Sequence, residues 1–126
     1  MQYLIMATET QDAFEARDDP DRAEDYWAAW TGYIAALTHS GVLVAAAGLQ
    51  PPTTATTVRR REGRPLVQDG PFADTKEQLG GYFVIEVPDL DAALGWADRC
   101  PSAGYASVEV RPLLPPSTRM DDVPHP

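Results

Sequence analysis

Asp69-Gly70-Pro71-Phe72-Ala73-Asp74-Thr75-Lys76-Glu77-Gln78-Leu79-Gly80-Gly81-Tyr82-Phe83-Val84-Ile85-Glu86-Val87 is the stretch that decides the fold. Asp-Gly-Pro is turn chemistry: the aspartate side chain accepts backbone amides, glycine tolerates a left-handed backbone, and proline fixes its own φ. Asp74 to Glu77 is polar and about one helical turn long, with Glu77 three residues after Asp74 as in a capping box. Tyr82 to Val87 is the most apolar strand in the chain. Gly80-Gly81 at its entrance predicts a bulge or a close backbone approach. No GxGxxG opens a helix after a strand, so the glycine pair is not a phosphate loop.

Working outward, Thr56 to Arg61 and Arg64 to Gln68 flank Glu62-Gly63 as a hairpin. Their charges and Pro65 mark it as a peripheral flap. Gln2 to Thr8 and Val42 to Ala47 are strands apolar on both faces. Between them, Glu9 to Asp18 reads as a polar loop and Asp19-Pro20 as a helix start. That helix aligns Ala23, Tyr26, Trp27, Trp30, Tyr33, Ile34 and Leu37 on one face and ends at Gly41, a left-handed cap. Asp89 caps a second helix with Leu90, Ala93, Leu94 and Ala97 as its buried stripe, stopped at Cys100-Pro101. Ala106 to Arg111 is the last strand. Residues 1–112 read as one domain and 113–126 as a proline-rich tail, extended or disordered unless a partner catches it.

The order β-α-β, hairpin, β-α-β predicts the α+β class: a ferredoxin-like split β-α-β with an inserted hairpin and two helices on one sheet face. The other face is apolar and uncovered, larger than a monomer normally exposes. A homodimer with two sheets packed face to face follows.

Composition bounds the partners. The 126 residues carry a net charge of -9, which repels phosphate backbones and argues against nucleic acid. The N-terminus lacks a basic flank and reads as a strand rather than a signal peptide, and no apolar run approaches the roughly 18 residues of a membrane span. A cytoplasmic protein with no membrane partner is expected. Cys100 is the only cysteine, so no internal disulfide forms. His39, His125 and Cys100 are no zinc site, and no cofactor motif is present.

Asp69 is the leading chemical candidate. In a pocket walled by Trp and Tyr, desolvation would raise its pKa and make it a general acid or base; alternatively its carboxylate simply closes the turn. Lys76 and Glu77 could bind an anion and move a proton, or form a solvated turn. Trp30 and Tyr33 are the aromatic residues placed at a pocket rim, although their spacing is first of all that of a core. Arg59 and Phe72 complete the ligand-binding set; Arg59, Arg60 and Arg61 alternate across a strand and so form no single patch, which leaves protection of an exposed edge as their default role.

Asp69-Gly70-Pro71-Phe72 followed by Thr75 to Tyr82 resembles the signature of the DGPF-domain branch of the YCII-related superfamily. Gly41-Val42-Leu43, Gly48 to Pro51, Thr56 to Arg59 and Val108 to Pro112 are similar to the same branch. The resemblance implies a dimeric α/β barrel of ferredoxin-like units. It also implies a cofactor-free lyase or isomerase acting on a small molecule, with Asp69 in acid–base chemistry, since the superfamily includes a dechlorinating lyase. The superfamily's proposed His–Asp pair has no counterpart here, because no histidine lies before the first helix or near its start; the two present are His39 and His125. Gene neighbourhoods of the branch imply the alternative, a non-catalytic dimer that binds a metabolite or is linked to an extracytoplasmic-function sigma factor.

Overall fold

The computed structural model describes residues 1–115; the expected tail therefore lies outside the described residues from position 116 onward. Four strands make one antiparallel sheet: β1 (Gln2–Thr10), β2 (Leu43–Gly48), β5 (Glu77–Glu86) and β6 (Val108–Pro112), in the order β2-β5-β1-β6. This is the strand order of a ferredoxin-like split β-α-β. The inserted hairpin is β3 (Thr56–Arg61) and β4 (Arg64–Asp69), which pair only with each other. Its turn residues Glu62 and Gly63 both have positive φ, 51° and 75°, the primed turn whose twist suits a two-residue hairpin loop.

Strand β1 sits in the centre and its residues alternate between buried and half-buried. Tyr3, Ile5 and Ala7 face the helices α2 (Ala23–His39) and α3 (Leu90–Asp98), where Leu37, Phe83, Ile85 and Ala93 complete the core. Trp30 stacks on Phe83 at 6.1 Å between ring centres, and Tyr33 meets the same ring edge-on at 5.2 Å. Leu4, Met6, Tyr82 and Val84 occupy the opposite sheet face, half-buried.

Four local readings are corrected. Glu9 to Asp18 is not a loop: β1 runs through Thr10, and α1 (Gln11–Ala16) follows, capped by the Thr10 hydroxyl accepting from Ala13 N. Asp19-Pro20 does not open the long helix, which starts at Ala23; the Asp19 carboxylate closes a preceding turn by accepting from Asp21 N. Glu77 does not cap a turn from Asp74 but begins β5, where it accepts from the Thr8 and Ser107 hydroxyls at 2.9 and 2.6 Å. Leu90 and Leu94 are about half exposed; Ala93 and Ala97 alone form the buried stripe of α3, because small residues let the helix lie close to its neighbours.

Candidate functional site

Period-two alternation continues past Ala7 and turns Glu9 inward, where only 1% of the residue is exposed. Room for its side chain comes from the glycine pair. The β1–β5 register slips between Ala7–Gly81 and Thr8–Leu79, leaving Gly80 as the extra residue of a bulge. A Cβ on Gly80 would lie 2.4 Å from Glu9 Cγ.

Both carboxylate oxygens of Glu9 are occupied. Tyr26 Oη donates to Oε2 at 2.9 Å, and Tyr105 Oη donates to Oε1 at 2.7 Å. Tyr26 Oη in turn accepts from Arg17 Nε at 2.9 Å. The rest of the Arg17 fork donates to Gly80 O at 3.2 Å and to Leu49 O. Its guanidinium carbon lies 4.8, 5.7 and 5.6 Å from the ring centres of Phe14, Tyr26 and Trp27, within cation–π range. Arg17 makes no ion pair among the described residues. It is a positive charge held by neutral acceptors and aromatic faces.

This cation opens into a cleft of about 610 Å³ between α2 and the β2–β5 edge, walled by Tyr26, Trp27, Trp30, Gly81 and Phe83. The size and the largely apolar wall, with four aromatic rings in it, suit a small planar molecule. Burial pushes the Tyr26 phenol up to about 12; Glu9 adds to the shift and the bond from Arg17 opposes it. Burial, with Glu9 beside it, raises Tyr105 as well. Both phenols therefore keep their protons at neutral pH.

That shift predicts an alkaline instability. Tyr26 ionises near its ordinary value of 10 in the unfolded chain and at about 12 in the folded one. Its contribution is thus complete below pH 10 and is lost as pH rises to 12. A two-unit shift is discounted for solvent screening at this half-buried group to roughly 1 kcal/mol. Urea unfolding at pH 9 and pH 11 checks this: Tyr26→Phe should flatten the decline but not abolish it, since Tyr33 is also raised by burial. An unchanged decline would count against the buried setting of Tyr26.

The residues singled out from the sequence are only partly brought together. Trp30 lines the cleft, and its Nε1 is buried without a hydrogen-bond partner among the described residues. Tyr33 points away into the core and donates to Trp96 O at 2.8 Å. Asp69 and Lys76 line a separate, polar hollow of about 970 Å³ that includes neither Trp nor Tyr and meets the aromatic cleft at Asp18 and Pro51. Asp69 is exposed, so the desolvated aromatic setting expected around it belongs instead to Tyr26 and Glu9. The neighbouring turn is held by Gly70 N donating to Ala55 O and by the Thr57 hydroxyl donating to Gly70 O; among the described residues the Asp69 carboxylate takes no hydrogen bond in it. Phe72 is 76% exposed with the Arg59 guanidinium 4.9 Å from its ring centre, on the hairpin side. Glu77 binds the two hydroxyls already named, which hold its carboxyl below the usual range.

Glu9, Arg17 and Tyr105 are absent from the sequence-based set, and Tyr26 reads from the sequence first of all as a core residue that could line a pocket. One signal was available: Tyr3, Ile5, Ala7 and Glu9 share a strand face, so extending the strand by two residues buries Glu9. No group of three or more His, Cys, Asp or Glu side chains among the described residues is placed to hold a metal ion.

Comparison with known proteins places the chain among relatives. The family model described as the YCII-related domain matches residues 1–117. An uncharacterised protein of Rhizobium meliloti (strain 1021) is 41% identical over 105 residues, covering 80% of each chain. Among solved structures, the chain is similar to 5-chloro-2-hydroxyhydroquinone dehydrochlorinase (TftG) from Burkholderia phenoliruptrix AC1100, in complex with 2,5-dihydroxybenzoquinone. The TM-score is 0.52 at 16% identity, over 90% of this chain and 94% of that one. At that identity the likeness shows an α+β fold in common.

Proposed function

The chain belongs to the YCII-related domain family, and from that premise we propose that its aromatic cleft binds a small, planar, oxygen-bearing anion. Cofactor-free proton transfer follows there, of the kind that drives elimination or isomerisation. The observation that carries this reading is Arg17. Three of its five N–H bonds go to neutral oxygens, it has no ion-pair partner among the described residues, and it faces an aromatic cleft. An anionic oxygen on a ring lying against the aromatic wall would supply a countercharge and use the remaining donors.

Tyr26 links that position to Glu9. Its hydroxyl stands between a cation and a buried carboxylate, so a proton can pass from ligand to Glu9, or back, through one phenol. Arg17 stabilises the oxyanion that develops as the proton leaves. The fold-level likeness to a dehydrochlorinase holding a dihydroxybenzoquinone supports an oxygenated ring as the ligand class. Asp69 and Lys76 meet only the outward end of such a ligand, through the adjoining hollow. The apolar open sheet face, with Leu4, Met6, Tyr82 and Val84, supports two copies packed as a dimeric barrel.

Titration with 2,5-dihydroxybenzoquinone, followed by quenching of tryptophan fluorescence, tests the site because Trp27 and Trp30 line it. Saturable quenching is expected. Against chlorinated hydroxyhydroquinones, Tyr26→Phe should retain affinity within about threefold but lower turnover at least about 100-fold, as loss of a proton-transfer group does. Asp69→Asn should change neither by more than about threefold. Loss of turnover in Asp69→Asn with full activity in Tyr26→Phe would move the chemistry to the outer hollow. Absence of quenching would remove the cleft as the site.

A further inference from the structure

Proton transfer through Tyr26 leaves a proton on a carboxylate that solvent does not reach. Glu9 is 1% exposed, and its carboxylate takes two hydrogen bonds among the described residues. One comes from Tyr26 in the cleft wall. The other, from Tyr105 Oη to Oε1 at 2.7 Å, comes from a residue that lines neither the aromatic cleft nor the outer hollow. Tyr105 is 46% exposed. A buried carboxylate needs donors, and that need alone would account for a hydrogen bond. It does not account for a donor drawn from the surface on the side away from the ligand.

The position of Tyr105 is fixed by its backbone. It follows the short helical turn Pro101–Gly104, and its amide and that of Ala106 both donate to the carbonyl of the fully buried Ser102. Burial and the neighbouring Glu9 raise its phenol, so it keeps its proton at neutral pH. A neutral hydroxyl both donates and accepts, so it can carry a proton across without ionising. Tyr26, Glu9 and Tyr105 therefore form one hydrogen-bonded line with an end at the cleft and an end on a half-exposed residue. A proton that returns to its own ligand needs only the first end. A proton lost for good in each turnover needs the second, because Glu9 must be emptied before the next ligand reacts.

We propose that Tyr105 is the proton exit of the cleft, a relay that empties Glu9 to solvent on a surface the ligand does not cover. This rests on the proton transfer through Tyr26 proposed above. The ligand gives a proton to Tyr26 Oη as Tyr26 passes its own to Glu9 Oε2. The electron pair left on the ligand forms the new double bond, and the leaving group departs with its bonding pair as an anion. A half-turn of the carboxyl group brings the new O–H to Tyr105, whose hydroxyl accepts that proton while releasing its own to water. One proton and one anion have left the ligand, and all three side chains regain their starting protonation.

Chloride release from a chlorinated hydroxyhydroquinone, followed after rapid mixing with the full chain, tests the exit. The wild type should release chloride at a constant rate from the first turnover onward. Tyr105→Phe should release a first chloride per chain within about threefold of the wild-type rate and then slow at least about tenfold. Its slow phase should show a solvent deuterium isotope effect of about twofold or more, since proton release has become limiting. Tyr105→Ala opens a ring-sized gap at the surface. Its slow phase should quicken at least about fivefold with added phenol but not with toluene, which fills the same gap without a hydroxyl. Urea unfolding establishes that each variant is folded. A fall in both phases together, an unchanged steady rate in Tyr105→Phe, or equal rescue by phenol and toluene overturns the exit and leaves the reading of the cleft standing. Absence of chloride release by the wild type withdraws the proton transfer in the cleft, and the exit with it.

Discussion

Gly80→Ala should destabilise the protein by about 2–3 kcal/mol, although the new group is a single methyl. That methyl would stand 2.4 Å from Glu9 Cγ, 3.2 Å from Glu9 Cβ and 3.4 Å from Arg17 Nη2. Gly80 does not have a positive φ, so the cost is steric rather than conformational. The carboxylate cannot retreat without giving up bonds from Tyr26 and Tyr105, and a hydrogen bond to a charged group contributes about 1.5–3 kcal/mol. Against this stands a gain of about 0.4–1 kcal/mol from a less flexible unfolded chain. Glu9→Ala alone should cost about 3 kcal/mol, because two phenols lose their acceptor. In that background Gly80→Ala should cost less than about 1 kcal/mol, since only the Cβ contact remains. The double-mutant cycle from urea unfolding should therefore show coupling of about 1 kcal/mol or more. A near-neutral Gly80→Ala, or an additive cycle, would mean that the glycine is not what makes room for the buried carboxylate.

The same residues explain what could be read from the sequence. Features set by local chemistry were legible: Glu62-Gly63 as a hairpin turn, Asp89 as an N-cap, Gly41 as a left-handed cap and Gly80 at a bulge. The β-α-β order followed because Ile5 and Ile85 lie in short strands apolar on both faces and Leu37 in a helix of clear period. The site was harder. Its four polar groups come from β1, the end of α1, α2 and the loop before β6, and no spacing rule links positions 9, 17, 26 and 105. Six-residue α1 is too short to show a helical period, and without it Arg17 reads as one charge in a polar loop. Asp69 is conspicuous for its turn chemistry, yet that turn closes through Gly70 N, Gly70 O and the Thr57 hydroxyl. Trp30 and Tyr33, three residues apart on one helix, part company: one reaches the cleft and the other the α3 backbone.

Arg17 should show the largest effect on ligand capture. Arg17→Leu is expected to weaken binding of 2,5-dihydroxybenzoquinone at least about 100-fold, equivalent to about 2.8 kcal/mol. The variant removes the cation and leaves an oxyanion against aromatic walls. Arg17→Lys should lose only about tenfold: an ammonium keeps the charge but cannot serve Tyr26 Oη, Gly80 O, Leu49 O and a ligand from one planar fork. Both variants also lose bonds that tie α1 to β5 and to the end of β2, so stability should fall by about 1–2 kcal/mol. Affinity is therefore compared at a temperature where urea unfolding shows each variant fully folded. Charge and shape can then be separated with the ligand itself, since an uncharged ring of the same outline should bind wild type and Arg17→Leu within about threefold of each other. Equal loss for charged and uncharged rings would mean that Arg17 only shapes the cleft, and undiminished binding of the anion by Arg17→Leu would remove it from recognition altogether.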